Sequence, residues 1–300
     1  MTSNSGHNTS DPAKITSELA QLTPVVSFRG LEVHCFSGKE CPATLKEVGY
    51  LRETAFQAAG GGRGVECDLD DWDTGENAYD QLIAWDPDEK QLVASYRYQP
   101  GKRGIPEEEK HLRTANLFDY TDAFREKILP KSIELGRSAV NPSAKRNKFG
   151  FFAIWKGLGA LLRIHPEVNY LFGTVSLHTT IKPQAGNELL SYLQQHYPPP
   201  EPLLKAKREI TFEPDPGQAD LSTPVQQGEQ DTPENRIKKL TGLMRDHSDF
   251  MPLILKSYMG LSNDIWFCDA VVDHDFGDAW IIGMIVPVDN INAKFRKMFM

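Results

Sequence analysis

The feature that most constrains the fold of this chain is a strand, a helix and a second strand that follow one another in the middle of the sequence. Ile133 to Val140 predicts a strand, Phe149 to about Ile164 an apolar helix, and Tyr170 to Leu177 a second strand. The polar break Asn141-Pro142 separates the first strand from the helix. Together with hairpin signals elsewhere, this crossover predicts an α+β fold built on an α/β layered sheet.

The same stretch carries side chains suited to chemistry. Glu134 and Arg137 lie on the first strand, and Lys145, Arg146 and Lys148 precede the helix. A carboxylate can accept a proton, and cations at a helix N-terminus suit an anionic group. We therefore expect this stretch to hold an anionic cofactor beside proton chemistry.

The composition argues against several classes of protein. The net charge of −8 disfavours nucleic-acid binding, which needs a basic face. The cysteines are dispersed without a C-x-x-C pair, so we expect reduced thiols and neither a disulfide framework nor a zinc site. No run approaches the ~18 to 20 apolar residues of a membrane span. We expect a cytoplasmic protein, and leave open a peripheral contact with a membrane surface.

Shifts in composition divide the chain into four predicted segments. Residues 1–22 begin with many Ser, Asn and Thr and predict a disordered tail. Residues 23–200 predict the main folded core. Residues 201–232 are rich in Pro, Gln, Glu and Asp and predict a loop or linker. Residues 233–300 predict helices and strands that complete the fold.

The first half of the core alternates strand and helix patterns. Val25 to Phe36 predicts one strand, and Ala43 to Ala59 predicts a helix. Gln81 to Trp85 and Gln91 to Tyr98 predict an antiparallel hairpin, whose turn is Asp86-Pro87-Asp88-Glu89.

The segment from Glu66 to Glu89 is the most acidic of the chain, with ten acids and no Lys or Arg. Such a segment can bind an ammonium group, pair with arginines elsewhere or ligate calcium. Calcium is disfavoured because the segment lacks the glycine and the terminal glutamate of an EF-hand. We therefore expect no metal site.

Four motifs follow one another along the chain. They are Leu51-Arg52-x-x-x-Phe56, Asp68-x-Asp70-x-x-Asp73 followed by Tyr79-Asp80, Tyr96-Arg97, and Glu134-Leu-Gly-Arg137-Ser138. In these motifs the chain resembles the acyl-ACP-dependent N-acyltransferases of the GNAT superfamily, often labelled hemolysin-like. This group includes the first-step acyltransferases of ornithine-lipid and glycine-lipid synthesis and the N-acyl amino acid synthases. It is distantly similar to the acyl-homoserine-lactone synthases.

The resemblance implies a fold and an activity. The fold is a GNAT-like mixed, mostly antiparallel sheet flanked by helices. The activity is transfer of a fatty acyl group from the phosphopantetheine thioester of acyl carrier protein to the α-amine of an ornithine- or glycine-type amino acid, giving an N-acyl amino acid or lyso-amino lipid. No tightly bound cofactor is expected. Because no well-placed Cys or Ser nucleophile occurs, transfer is expected to be direct.

One motif departs from the wider superfamily. Many GNAT enzymes have a pyrophosphate-binding loop, which Arg146 to Phe151 matches only in part. This departure favours acyl carrier protein over coenzyme A as the donor.

The resemblance also implies roles for individual residues, each with a structural alternative. Glu134 is expected to accept the proton, and Arg137 to hold the site's geometry or contact an anionic group; ordinary ion pairs are the alternative. The residues expected to bind the substrate are Arg52, Asp70, Asp73, Asp80, Arg97 and Ser138. For the acids among them, a buried ion network with the two arginines is the favoured alternative.

A second group is expected to bind the donor. Lys145, Arg146 and Lys148 suit its phosphate or the acidic surface of the carrier protein, with a solvated charge run as the alternative. Thr174 and Ser176 are expected to offer hydroxyl groups beside the thioester. Two other functions stay open. One is an acyl-CoA-dependent or lactone-forming transfer on the same fold, and the other is a non-catalytic lipid- or carrier-binding protein.

Overall fold

The structure is a computed structural model that describes residues 10–101, 109–208, 232–262 and 264–300. The strands are β1 Val26–Phe28, β2 Leu31–Ser37, β3 Asp80–Asp86, β4 Gln91–Pro100, β5 Phe118–Tyr120, β6 Ser132–Val140, β7 Tyr170–Leu177, β8 Leu204–Ala206, β9 Trp266–Asp273 and β10 Ala279–Pro287. The helices are α1 Pro12–Leu19, α2 Pro42–Ala58, α3 Asp71–Thr74, α4 Asn147–Ile164, α5 Pro183–His196, α6 Pro233–Asp246, α7 Leu253–Leu261 and α8 Ala293–Phe299. Within the described ranges, no helix has the length and apolar character needed to cross a bilayer.

The described residues form two compact units. The first contains the residues up to Tyr98, Gly136–Leu161 and Phe299. The second contains Gln99–Leu135, Leu162–Met298 and Met300. The chain passes from the second unit to the first inside strand β6, between Leu135 and Gly136.

The first unit contains β1 to β4, which pair antiparallel in chain order, and the second half of β6 beside β4. Helix α4 lies directly against the sheet of this unit. A Cβ atom added to Gly157 would lie 2.8 Å from side-chain atoms of Leu82 and Val33, both fully buried. The glycine therefore lets the helix approach the sheet closely.

The prediction of a single strand from Val25 to Phe36 is wrong, because the segment is a hairpin. Strands β1 and β2 pair around Arg29 and Gly30, whose φ angles of 53° and 80° are left-handed. Two residues of positive φ are typical of a two-residue turn between antiparallel strands. The following helix α2 and the hairpin of β3 and β4 lie where they were predicted.

The second unit contains the first half of β6, which pairs in parallel with β7 from Ser132 opposite Tyr170 to Leu135 opposite Gly173. Strand β10 pairs antiparallel with both β7 and β9, so the C-terminal strands extend the sheet of this unit. The short strands β5 and β8 pair separately. The prediction of a mixed, mostly antiparallel sheet flanked by helices is confirmed.

The predicted disordered tail is wrong from Pro12 onward, because helix α1 forms there. Asp11 caps the helix by accepting a hydrogen bond from the Ala13 N–H at 2.9 Å, and Ile15 and Leu19 are buried. An N-cap aspartate followed by proline is a helix-start signal. Residues 1–9 lie outside the described residues.

The predicted loop or linker over residues 201–232 is also wrong in part. Leu204–Ala206 forms β8, in which Leu204 is buried and lies opposite Tyr120 of β5. This pairing with a strand more than eighty residues earlier leaves no local sequence signal. Residues 209–231 lie outside the described residues.

Candidate active site

A cluster of three arginines and three aspartates lies in the first unit. We call it the arginine–aspartate cluster; its members are Arg52, Arg97, Arg137, Asp68, Asp70 and Asp73. Helix α2 provides Arg52, β4 provides Arg97, and β6 provides Arg137. The three aspartates lie at or just before the short helix α3. Elements that are distant in sequence thus converge on one group of charges.

Asp73 is the centre of the inner part of this cluster. Its Oδ1 accepts a hydrogen bond from Arg52 Nη1 at 2.8 Å, and its Oδ2 accepts one from Arg97 Nη1 at 2.9 Å. Gln81 Nε2 also donates to Oδ1 at 3.1 Å. Burial by itself would raise the pKa of Asp73, but the charges of the two arginines outweigh it and hold the pKa below its usual value. The carboxylate is therefore ionised at neutral pH.

Local backbone geometry places the aspartates of the inner part. Asp70 caps α3 by accepting from the Trp72 N–H at 3.0 Å, while the Asp70 N–H donates to Asp73 Oδ2 at 3.2 Å. Arg97 lies opposite Gln81 in the register of β3 and β4. From there Arg97 Nη1 reaches Asp70 Oδ1 at 2.7 Å. The inner part is therefore a hydrogen-bonded ion network.

Arg137 belongs to the outer part, which is held less closely. Its φ of 55° is left-handed, a conformation that residues with a Cβ atom rarely adopt. Its Nε lies 3.4 Å from Asp68 Oδ2, and its Nη2 lies 3.6 Å from Asp70 Oδ2. Burial lowers the pKa of Arg137 to about 10, against the opposing effect of the Asp68 carboxylate. These ion contacts are longer than the hydrogen bonds around Asp73.

Glu134 lies in the second unit, on the first half of β6, and is 1% exposed. Its Oε1 accepts a hydrogen bond from the Thr114 N–H at 2.8 Å, and the Thr114 hydroxyl is hydrogen-bonded to the Tyr120 hydroxyl. Burial and the negative charge of Glu134 raise the pKa of Tyr120, so the phenol stays protonated at neutral pH. A buried carboxylate of this kind is suited to accept a proton in a reaction.

The residues expected to bind the donor at the start of α4 are partly engaged with acids. Arg146 donates to Asp86 at 2.8 Å and to Asp88 at 2.9 Å. Lys145 pairs with Glu89 of the same turn at 2.7 Å. These contacts join the start of α4 to the turn between β3 and β4. Lys148 is exposed.

The other predicted residues occupy three strands. Ser138 is half-buried on β6, directly after Arg137. Thr174 and Ser176 are half-buried on one face of β7, in the second unit. Asp80 lies in β3 opposite Tyr98, where burial and neighbouring charges raise the pKa of the phenol. Of the residues expected to act on the substrate, the cluster contains Arg52, Asp70, Asp73, Arg97 and Arg137.

Four residues that take part in the contacts around Asp73, Arg137 and Glu134 were given no role from the sequence. Asp68 belongs to the acidic motif, and its position two residues before Asp70 was the available signal. Gln81 could have been found from the predicted hairpin, which places it near Arg97. Thr114 and Tyr120 carried no signal, because their contact with Glu134 depends on tertiary packing.

Comparisons with known proteins bear on this site. Residues 51–156 match a family model described as an acetyltransferase (GNAT) domain. A glycine N(alpha)-acyltransferase of Bacteroides thetaiotaomicron is 32% identical over 272 residues, which cover 87% of this chain and 78% of that protein. One of Phocaeicola vulgatus is 31% identical over 268 residues, which cover 87% of this chain and 81% of that protein. The matched segment of the family model contains the whole arginine–aspartate cluster and Glu134.

The chain also has a limited similarity to solved structures. The crystal structure of the AHL synthase LasI is 17% identical, with a TM-score of 0.31, over 49% of this chain and 71% of that chain. Similarity at this level carries no argument about the site.

Proposed function

We propose that this chain, which belongs to the GNAT family of N-acyltransferases that includes the glycine N(alpha)-acyltransferases, transfers a fatty acyl group from acyl carrier protein to the α-amine of an amino acid. Glycine is the preferred acceptor in this proposal, and ornithine is the second candidate. The observation that carries this proposal is the 32% identity to a glycine N(alpha)-acyltransferase over 87% of the chain. An N-acyl amino acid, the precursor of an amino lipid, is the product.

Glu134 is the proton acceptor in this proposal. The nitrogen of the uncharged amine forms a bond to the thioester carbonyl carbon, the carbon–sulfur bond breaks, and the sulfur leaves as a thiolate, which then takes up a proton to give the thiol. The proton lost by the attacking amine passes to Glu134, directly or through water. The support is its burial and the hydrogen bond that its Oε1 accepts from the Thr114 N–H, which holds the carboxylate in position. Arg137, on the same strand, is proposed to bind the acceptor.

Direct transfer, without an acyl-enzyme, is supported by the state of the thiols. Burial raises the pKa of Cys35 and of Cys268 to about 12, and that of Cys41 to about 11. The pKa of Cys67 is also raised by burial. A thiol is a weak nucleophile unless it is deprotonated.

Acyl carrier protein is the proposed donor because of the charges at the start of α4. Arg146 is engaged by Asp86 and Asp88, so it is poorly placed for a pyrophosphate. Lys148 is exposed, and Lys145 is 72% exposed although it pairs with Glu89, so both suit an acidic protein surface. Thr174 and Ser176 stay proposed contacts of the thioester arm.

The test is an N-acylation assay with the purified protein. Glycine and ornithine are offered with fatty acyl groups of equal length on acyl carrier protein and on coenzyme A, and products are identified by mass spectrometry. We expect N-acylglycine from the carrier-protein donor. Product from coenzyme A alone would overturn the proposed donor, and no N-acyl product from any combination would overturn the proposed function.

The same assay tests the role of Glu134. Glu134→Gln removes the charge but keeps an acceptor for the Thr114 N–H, so the local structure is retained. We expect kcat to fall about 100-fold or more, the lower range for loss of a general base. The matched control is Glu126→Gln, since Glu126 is exposed in the same unit. Equal kcat values for the parent and Glu134→Gln would exclude Glu134 as the proton acceptor.

A further inference from the structure

Asp68 is a buried carboxylate with unmet hydrogen-bonding capacity. It is 1% exposed, and neither oxygen has a hydrogen-bond partner among the described residues. The nearest cations are Arg137 Nε at 3.4 Å and Arg63 Nη1 at 3.6 Å. Removing a charged group from water without hydrogen bonds is strongly unfavourable, and such groups are rare in native structures. The position of Asp68 therefore calls for a group that donates to it.

The contrast with Asp73 locates the unmet capacity. Both oxygens of Asp73 accept hydrogen bonds from arginines. Asp70 is intermediate: its Oδ1 accepts from Arg97 and from the Trp72 N–H, while its Oδ2 faces Arg137 at 3.6 Å. Among these aspartates, Asp68 is therefore the one whose buried oxygens lack a hydrogen-bond partner in the described part of the chain. Asp68 and Oδ2 of Asp70 both flank Arg137.

The outer part of the cluster is also its open side. The side chains of Arg137 and Asp70 are each 12% exposed, whereas those of Arg52, Arg97 and Asp73 are at most 1% exposed. The partly exposed edge therefore presents the Arg137 guanidinium and the Asp70 carboxylate, and the buried Asp68 carboxylate lies 3.4 Å from the same guanidinium. A ligand that enters here meets charges of both signs.

The charge balance of the cluster limits what can bind. Its three arginines and three aspartates sum to zero formal charge, and the fourth cation near Asp68, Arg63 at 3.6 Å, has a side chain that is 30% exposed and therefore screened by solvent. A ligand with one positive and one negative group keeps that balance, while an anion or a cation alone leaves a buried charge uncompensated. An α-amino acid in its zwitterionic form has both groups on one carbon.

We propose that Asp68, Asp70 and Arg137 bind the acceptor amino acid as a zwitterion. Asp68 and the Oδ2 atom of Asp70 accept hydrogen bonds from the ammonium group, and the guanidinium of Arg137 pairs with the carboxylate. This inference rests on the proposed function, which it deepens by assigning the acceptor site. Asp68 binds the ammonium form, which releases one proton to solvent before the nitrogen attacks, so Glu134 is still ionised when the nitrogen loses its next proton.

The geometry of Arg137 supports a binding role. The left-handed φ of this residue and the Phe56 ring, 5.7 Å from the guanidinium carbon, fix its direction. Unfavourable backbone conformations in non-glycine residues are concentrated at functional sites. A guanidinium group fixed in this way can bind a carboxylate with two parallel hydrogen bonds.

The first arm of the test is kinetic and uses Asp68→Asn beside Asp71→Asn. Asp71 is an exposed acid of the same motif and serves as the matched control. We expect the KM for glycine to rise about 10- to 100-fold in Asp68→Asn, as for loss of a hydrogen bond to a charged group. We expect kcat and the KM for the acyl donor to change less than about threefold. An unchanged KM for glycine, or an equal fall in kcat, overturns the proposal.

The second arm measures binding without turnover, by calorimetric titration of glycine, acetate and methylamine into the parent protein. We expect binding of glycine, no measurable binding of the two single-charge ligands, and loss of glycine binding in Asp68→Asn. If Asp68→Asn does not fold, the selectivity of the parent protein decides. Binding of acetate or methylamine as tight as that of glycine overturns the zwitterion site.

The two arms separate this inference from the proposed function. Glycine binding without N-acyl product would refute the proposed function and leave the zwitterion site standing. N-acylglycine formation with an unchanged KM in Asp68→Asn would refute the site and leave the function standing.

Discussion

At the scale of single residues, Asp73 shows how a buried charge is stabilised. Two guanidinium groups and the amide of Gln81 donate to its carboxylate, so each oxygen is paired. Removing one partner of such a pair leaves the other charges buried without compensation. This destabilises the fold far more than replacing all the partners with well-packed apolar residues. Arg52 and Arg97 therefore depend on Asp73 as much as Asp73 depends on them.

We expect Asp73→Asn to lower the free energy of unfolding at pH 7 by about 3–5 kcal/mol, the range for breaking a buried ion pair. The pKa of Asp73 in the folded protein is below its usual value, so the stabilisation is complete above the unfolded pKa of about 3.9 and is lost as pH falls below it. Urea unfolding of parent and variant between pH 7 and pH 3 measures the difference.

The exposed Asp71→Asn serves as the control for this prediction, with an expected change of less than about 0.5 kcal/mol. The difference between the parent and Asp73→Asn should shrink below pH 4. A difference that stays constant down to pH 3 would contradict the assigned pKa direction.

Residue types and spacing predicted much of this cluster and little of its energetics. The motif spacings singled out Arg52, Asp70, Asp73 and Arg97 before their contacts were known. They gave no means of distinguishing Asp73, whose oxygens all accept hydrogen bonds, from Asp68, whose oxygens accept none among the described residues, because hydrogen bonding depends on where other elements place their donors. The pairing of Arg146 with Asp86, sixty residues earlier, was invisible for the same reason.

At the scale of elements, the contact of α4 with the sheet depends on the absence of one side chain. Gly157 lies against Leu82 and Val33, which are fully buried, and an added Cβ would lie 2.8 Å from each side chain. Gly242 in α6 is a glycine in a different environment, since an added Cβ would meet no atom within 4 Å. The same substitution is therefore expected to have opposite effects in the two helices.

We expect Gly157→Ala to destabilise the protein by about 1–3 kcal/mol through overpacking. We expect Gly242→Ala to stabilise it by about 0.5–1 kcal/mol, because alanine has the higher helix propensity. Thermal and urea unfolding of the two variants beside the parent measure both effects. A stabilised Gly157→Ala protein would show that α4 does not lie as close to the sheet as described.

Elements with a strong local signal were predicted well, and elements defined by partners were not. Tyr170–Leu177 was found with its bounds because alternation, Pro166 and length agree. The turn at Arg29-Gly30 was missed because arginine is an unusual residue at positive φ. Strand β8 pairs with β5, which lies more than eighty residues earlier in the chain.

At the scale of the whole molecule, the four cysteines are distributed through both units and share one property. Burial raises the pKa of each thiol above its ordinary value. Since only the thiolate reacts readily, the native protein should resist alkylation at neutral pH.

We expect iodoacetamide at pH 7.5 to leave the intact mass and the acyl-transfer rate of the native protein nearly unchanged over the time of the assay. In urea all four thiols should react, because unfolding removes the burial that raises their pKa values. Rapid labelling of a single cysteine with loss of activity would instead favour a covalent acyl-enzyme.

The mixed sheet was predictable at this scale because hairpins and one strand–helix–strand crossover are compatible with few sheet topologies. The division of the molecule inside β6 was not predictable, since Ser132–Val140 reads as one continuous strand. The left-handed φ at Arg137, the second residue after the point of division, has no counterpart in the residue pattern.

Glu18 of helix α1 gives the N-terminal segment an importance beyond its length. Its carboxylate accepts hydrogen bonds from the backbone N–H groups of Ala43 and Thr44 at 2.9 and 2.8 Å. These groups lie at the N-terminus of α2, where the N-cap residue Cys41 provides no side-chain hydrogen bond. The same helix α2 carries Arg52. In recombination between relatives, α1 and α2 therefore act as one unit of inheritance: a chimera joined between them keeps the hydrogen bonds to the first N–H groups of α2 only if the incoming segment brings an acceptor to the position of Glu18.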